Sequence, residues 1–261
     1  MSDQDKRNEC ARYNRYAEEI LAAGAAVSLG LDGALSVREE LRAPYLCYEG
    51  IVRRLLKPGT ALLDVCCGNG VHSLTAALGG ARVTASDIAE SNLAVVRLRA
   101  ARAGVEIASA LADAEQLPFA NHSFDVITCA GGLSYVDLPT FLAEVVRVLK
   151  PGGAFICVDS FNHNPVYRLN RYFHYLRGNR SYSTLQRMPN RQTLALMRAT
   201  FPDLEVRHFG TGSFLMPLIR PIAGAERAAR FSDWLDERLP FMREWAFKIV
   251  VCGHVHSNTL S

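Results

Sequence analysis

The chain reads as an α/β protein built on a doubly wound, mostly parallel sheet, and three observations carry that reading. Short apolar runs of strand length alternate with segments of helical spacing from Leu62 onward. The first of these runs, Leu62-Leu63-Asp64-Val65, passes through Cys66-Cys67-Gly68-Asn69-Gly70 into a helical segment. Three acids, Asp64, Asp87 and Asp113, fall at or near the ends of successive strands, the edge at which open parallel sheets take their ligands.

Each element follows in order. The glycines after strand one let the backbone approach a ligand closely, and the helix behind them offers unpaired N–H groups. A carboxylate at Asp64 repels a dinucleotide pyrophosphate, whereas S-adenosylmethionine (SAM) carries an ammonium, a sulfonium and no phosphate. The site therefore favours SAM over NAD. Residues 81–87 form a second strand ending in Asp87, placed to accept from two ribose hydroxyls. A helix is predicted over 91–103. Residues 110–119 put Asp113 after a third strand, where its carboxylate can accept from an adenine amino group. Residues 124–130 and 148–159 read as strands four and five, with a helix over 139–149 that stops at the Pro151-Gly152-Gly153 turn. Residues 204–210 and 247–253 read as two last strands.

In this motif order the chain resembles the class I, Rossmann-like SAM-dependent methyltransferases of the small-molecule, UbiE-like type. The resemblance covers residues 61–159. It implies a seven-stranded sheet whose final strand is antiparallel, SAM as cofactor with S-adenosylhomocysteine as product, and cofactor contacts from Asp64, Cys66, Gly68, Gly70, Asp87, Ile88, Asp113, Ala114 and Ala130. The family usually has glycine where Cys66 stands. A cysteine there acts as a small hydrophobe, so a slightly tighter pocket with retained binding is expected.

A chain of 261 residues, 49% of them hydrophobic, is long enough to bury one sizeable core. No apolar run reaches membrane-spanning length and the first residues lack a signal-peptide core, from which a cytoplasmic location is expected. Seven cysteines, mostly in predicted strands and without CxxC spacing, read as reduced, buried residues. One domain is expected, organised as an N-terminal helical cap (1–57), the SAM-binding core (58–160), a helical insertion rich in arginine and aromatics (161–203) and C-terminal strands completing the sheet (204–261).

Residues 8–23 and 37–56 of the cap have helical spacing, separated by a glycine-rich turn. The resemblance implies a cap lying over the cofactor, with Tyr16 or Arg42 at its methionine end. Alternatively the tyrosines of the cap pack its helices together.

Residues 160–202 contain no Asp or Glu and carry seven arginines. The whole chain is only +3, so the remainder is about −4 and the positive field is concentrated in this block. Arg168, Arg171 and Tyr175 are the substrate-binding candidates, for an anionic acceptor. The competing reading is an amphipathic helix whose arginines are solvated. The string from Asn162 to Pro189 is similar to methyltransferases of bacterial cell-surface polysaccharide functions.

An acceptor hydroxyl must lose a proton on methylation, so a base near the methyl group is useful where no metal serves. His163, just after strand five, is the first catalytic candidate, against a plainer role bonding the start of the next helix. Tyr135, after strand four, either orients the acceptor or lines the pocket as an apolar wall. Asp137 and Asp159 are further possible bases, or else cap a helix and close a loop. His72 contacts SAM or packs. His254 and His256 share one face of the last strand with no acid close in sequence, and no metal is expected.

The function expected is metal-independent methyl transfer to oxygen or nitrogen of a small, anionic or saccharide-like metabolite. The alternatives are an RNA-modifying methyltransferase that uses the basic block, and a SAM-binding protein without turnover. An oxidoreductase is disfavoured by Asp64.

Overall fold

The structure is a computed structural model that describes residues 3–24, 34, 37–176 and 182–256, without the side chains of residues 40, 170, 174–176, 182 and 240. The chain begins with α1 (Asp3–Ala22) and, after a 3-10 turn at Glu39–Leu41, α2 (Ala43–Leu55). The core then alternates as β1 (Ala61–Val65), α3 (Val71–Leu78), β2 (Arg82–Asp87), α4 (Glu90–Ala103), β3 (Ile107–Leu111), β4 (Phe124–Ala130), α5 (Leu138–Val148) and β5 (Leu149–Ser160). Three helices follow, α6 (Pro165–Leu176), α7 (Tyr182–Gln186) and α8 (Arg191–Thr200). The sheet is completed by β6 (Glu205–Phe209) and β7 (Lys248–His254), separated by α9 (Met216–Ala223) and α10 (Ala225–Arg238).

The strands lie in the order β3-β2-β1-β4-β5-β7-β6. The first five are parallel, and β7 runs antiparallel to both neighbours. Because successive side chains of a strand point to opposite faces, each strand feeds two cores. Leu63 and Val65 of β1 join Phe155 and Cys157 of β5 and Phe141 of α5 on one face. Leu62, Ile156 and Val158 join Tyr48 and Ile51 of α2 on the other. Every residue of β1 is buried, as expected of a strand covered on both faces. The seven-stranded reading holds, including the antiparallel last strand.

Local chemistry fixes the helix ends. Asp137 caps α5 by accepting from Thr140 N, and Asn190 caps α8 in a capping box with Thr193. Pro151-Gly152-Gly153 lies inside β5 rather than ending the helix, which stops at Val148. The register shifts between Phe124 and Val126 opposite this segment, so it is a bulge, and Gly152 takes the positive φ of 76° that the bulge needs. Residues 204–261 hold more than strands: α9 and α10 stand between β6 and β7. In α10 the inward positions include Ala228 and Ser232, too small and too polar to mark an apolar stripe in the sequence.

Candidate active site

The C-terminal ends of β1, β2 and β4, with the segment after β3, open onto a cavity of about 390 Å³. Such a volume suits a small-molecule ligand. α1 packs on α4 and contributes Lys6, Glu9, Tyr13, Tyr16 and Ile20 to the cavity. Their spacing of three and four places them on one helix face.

The floor is the turn after β1. Cys66 and Gly68 adopt left-handed backbone, with φ of 55° and 52°. That conformation costs a non-glycine residue about 1–2 kcal/mol, which accounts for the usual glycine at the position of Cys66. Cys67 N donates to Ser86 O and Gly68 N donates to Asp87 Oδ2 at 2.9 Å, so β2 holds the turn in place. Gly70 does not line the cavity. Its φ is 76° and a Cβ there would stand 2.6 Å from Val96 Cγ2, so glycine lets the turn pack against α4.

The three acids differ in setting. Asp64 is buried, accepting from Ser73 Oγ at 2.5 Å and Thr128 Oγ1 at 3.0 Å, and burial pushes its carboxyl above the usual range despite those donors. An ammonium arriving beside it would stabilise the carboxylate, whereas a second anion would meet it at full cost. Asp87 accepts from Gly68 N, Ala89 N and Asn92 Nδ2, leaving roughly one of its four lone-pair positions for a ribose hydroxyl. Asp113 closes a local turn by accepting from Glu115 N and is bridged, together with Glu115, by Lys6 Nζ at 2.5 and 2.7 Å. Asp64, Cys66, Gly68, Asp87, Ile88, Asp113, Ala114, Ala130, Tyr16 and Tyr135 are thus brought to one cavity. These residues fit SAM: a carboxylate-lined end for the ammonium, a glycine turn, and an acid at the end of β2 for the ribose.

Tyr135 stands on a 3-10 turn, Leu133–Tyr135, fixed by Asp159 Oδ2 accepting from Leu133 N at 2.9 Å. Asp159 also accepts from Ser160 N, so both of its oxygens hold backbone. The Tyr135 ring meets Tyr13 edge-on at 5.7 Å, and its hydroxyl accepts from Arg12 Nη2 at 3.2 Å. Burial, together with the Tyr135 hydroxyl, holds the Tyr13 phenol far above its usual range, so Tyr13 stays neutral.

Other candidates fall elsewhere. His163 does not line the cavity: its Nε2 accepts from Arg191 N at 3.2 Å, at the first turn of α8, and its ring packs on Phe161. Burial and the nearby Arg191 and Arg168 hold it below the usual histidine range. Arg42 donates Nε and Nη2 to Val37 O rather than reaching the cavity. Arg171 is buried, donating to Phe161 O and Asn162 Oδ1, with Tyr167 and Phe247 rings beside it. Arg168 is exposed on α6, and the Tyr175 side chain lies outside the described residues. His254 does have an acid neighbour, Asp203, 2.7 Å away in space though distant in sequence, and His256 is 3.7 Å from it. Among the described residues no group of three or more metal-ligating side chains converges.

Lys6 and Glu9 were not legible as site residues, because charged side chains in a leading helix read as a solvated face. The signal lay in their helical register with Tyr13, Tyr16 and Ile20.

The strand order, with β7 antiparallel to both neighbours, is that of the class I methyltransferase fold. A family model described as a methyltransferase domain matches residues 63–157. The ubiquinone biosynthesis O-methyltransferase of Pseudomonas putida (strain W619) is 39% identical over 120 residues, 44% of this chain and 50% of that one. The demethylmenaquinone methyltransferase of Bacillus cytotoxicus is 38% identical over 110 residues, 40% and 46% of the two chains. The match thus spans about half the length of these curated relatives. Among solved structures, Haemonchus contortus phosphoethanolamine N-methyltransferase 2 in complex with SAM superposes with a TM-score of 0.59 at 19% identity, over 81% of this chain and 52% of that one. The [4+2]-cyclase SpnF superposes with a TM-score of 0.57 at 21% identity, over 83% and 82%. Residues 63–157 thus match a methyltransferase domain and are similar to that part of these relatives, and the sheet has the fold of class I methyltransferases. No helix among the described residues is long and apolar enough to cross a membrane.

Proposed function

We propose that the protein transfers a methyl group from SAM to oxygen or nitrogen of a small acceptor, with anionic or saccharide-like metabolites as the first class to test. The observation that carries this reading is that the three cofactor acids and the Tyr13–Tyr135 pair share one cavity roofed by α1. When bound, SAM supplies an electrophilic methyl carbon on a positively charged sulfur.

The chain's own contribution is binding, orientation and exclusion of water. Positioning an acceptor lone pair in line with the departing sulfur can remove much of the barrier. Tyr135 is suited to orient that acceptor, because Arg12, Tyr13 and the Asp159-anchored turn fix its ring. α1 excludes water and is held by Lys6 to the core and by Asp5 and Glu9 to Ser183 and Thr184 of α7. His163, bonded to Arg191 N outside the cavity, is not placed to serve as the base.

The arginine block supports recognition of one small anionic group better than a nucleic acid. Arg171 bonds to internal carbonyls, Arg187 pairs with Asp5 and Arg191 with Glu244, so part of the block's positive charge is met from within the chain. RNA binding needs a broad basic surface with exposed stacking rings. The relatives named ubiquinone biosynthesis O-methyltransferase and demethylmenaquinone methyltransferase add quinol-like acceptors to the panel. Fold alone does not choose the reaction, as the cyclase on this fold illustrates.

The test is incubation with isotopically labelled SAM and a panel of nucleotide sugars, phosphorylated metabolites and quinol-like phenols, with products read by mass. A labelled, singly methylated product formed in step with S-adenosylhomocysteine supports the reading. Tight binding of S-adenosylhomocysteine with no turnover across the panel would count for a non-catalytic binder.

A further inference from the structure

A zwitterionic amino-acid tail bound in this cavity must find a cation for its carboxylate as well as an acid for its ammonium. Among the described residues that line the cavity, the cation-capable side chains are Lys6 and His72. Lys6 is committed to Asp113 and Glu115. His72 sits in the first turn of α3, directly after the glycine turn, and lines the same cavity as Asp64.

The ring of His72 is held on three sides by the cap. Tyr45 lies parallel to it at 6.1 Å between centroids, Tyr48 meets it edge-on at 5.0 Å, and Glu49 Oε1 stands 3.5 Å from Nδ1. Glu49 is itself fixed, since the same oxygen accepts from Ala34 N at 2.8 Å. Nδ1 is buried and makes no hydrogen bond among the described residues, with Glu49 beside it but not bonded to it, so Nε2 is the nitrogen left to meet a ligand.

From this we propose that His72, held between Tyr45 and Tyr48 with Glu49 beside it, binds the carboxylate of the cofactor's amino-acid tail while Asp64 faces the ammonium. The alternation Asp64, His72, Glu49 matches a zwitterion, and a tail lacking both charges would gain nothing from it. The inference rests on the reading of the cavity as a SAM site and makes His72 a cofactor-binding residue. Of the two residues that the resemblance set at the methionine end, Tyr16 lines the cavity, whereas the Arg42 guanidinium is turned to Val37 O.

The experiment is calorimetric titration of the full chain and its His72→Ala and His72→Gln variants with two ligands. S-adenosylhomocysteine carries the amino-acid tail, and 5′-methylthioadenosine keeps the adenosine and thioether without it. Loss of one charge-assisted hydrogen bond should weaken S-adenosylhomocysteine binding by about ten-fold or more in His72→Ala. Binding of 5′-methylthioadenosine should stay within about two-fold, which also shows that the variant is folded, and His72→Gln should recover part of the loss through its amide donor. Equal weakening of both ligands would make His72 a wall of the cavity and overturn the proposal, as would no weakening of either. A wild-type chain that binds neither ligand would instead bring down the cofactor reading, and this proposal with it.

Discussion

Removing the Asp87 carboxylate should cost this protein both cofactor affinity and stability, by amounts that its hydrogen bonds set. Its two oxygens accept from Gly68 N at 2.9 Å, Ala89 N at 2.9 Å and Asn92 Nδ2 at 3.1 Å, and the residue is only 8% exposed. Asp87→Ala strands those donors and unpins the glycine turn from β2. Buried donors left without a partner cost about 1–3 kcal/mol each, and partial relaxation toward water puts the loss of stability at about 3 kcal/mol. The lost charge-assisted bond to the ribose adds about 1.5–3 kcal/mol of binding, or roughly ten- to 150-fold in Kd. Asp87→Asn is no conservative control, because both oxygens accept and either rotamer of the amide turns an NH₂ toward a donor. Urea unfolding of the ligand-free protein and calorimetry with S-adenosylhomocysteine measure the two effects separately. An Asp87→Ala chain with wild-type affinity would remove Asp87 from the ribose site. Unchanged stability would show that the three bonds contribute nothing net.

Three further outcomes are expected. Gly70→Ala forces a Cβ onto Val96 at positive φ and should lower stability by about 2 kcal/mol, seen as an earlier urea midpoint; an unchanged midpoint would mean that α4 yields freely. His163→Ala should cost about 1 kcal/mol or less, through the acceptor lost to Arg191 N, with S-adenosylhomocysteine affinity and turnover unchanged. A fall in turnover at full stability would restore His163 as a base. Glu144 is held below the usual carboxyl range by its two hydrogen bonds from Arg147, with Leu117 N adding to them against the opposing effect of burial. The stability it contributes is present above the unfolded carboxyl pKa of about 4.3 and is lost as pH falls through the lower folded value. The gap between wild type and Glu144→Gln in urea should therefore be wide at neutral pH and close below about pH 4. A gap that widens in acid would contradict the pairing.

The sheet was legible because its signals are local. Strand-length apolar runs, acids at strand ends and the glycine turn are each contained in about ten residues, and the structure joins them as read. The roof of the cavity was less legible: Lys6, Glu9 and Tyr13 act in it through the packing of α1 on α4, which no local pattern specifies. The arginine block misled in a related way. Composition counts charges, whereas Arg171 is turned inward and Arg187 and Arg191 meet acids more than fifty residues away in the chain. His163 lay at the right distance after β5 for a catalytic side chain, but the direction of its ring is set by α8. Asp203, the partner of His254, was invisible for the same reason: β7 brings together residues from opposite ends of the last segment.

Calorimetric titration of the purified chain with S-adenosylhomocysteine tests the central claim most directly. A single site of micromolar affinity, weakened in Asp87→Ala, is the expected result. Absence of binding to the folded wild-type chain would contradict the assignment of this cavity to SAM.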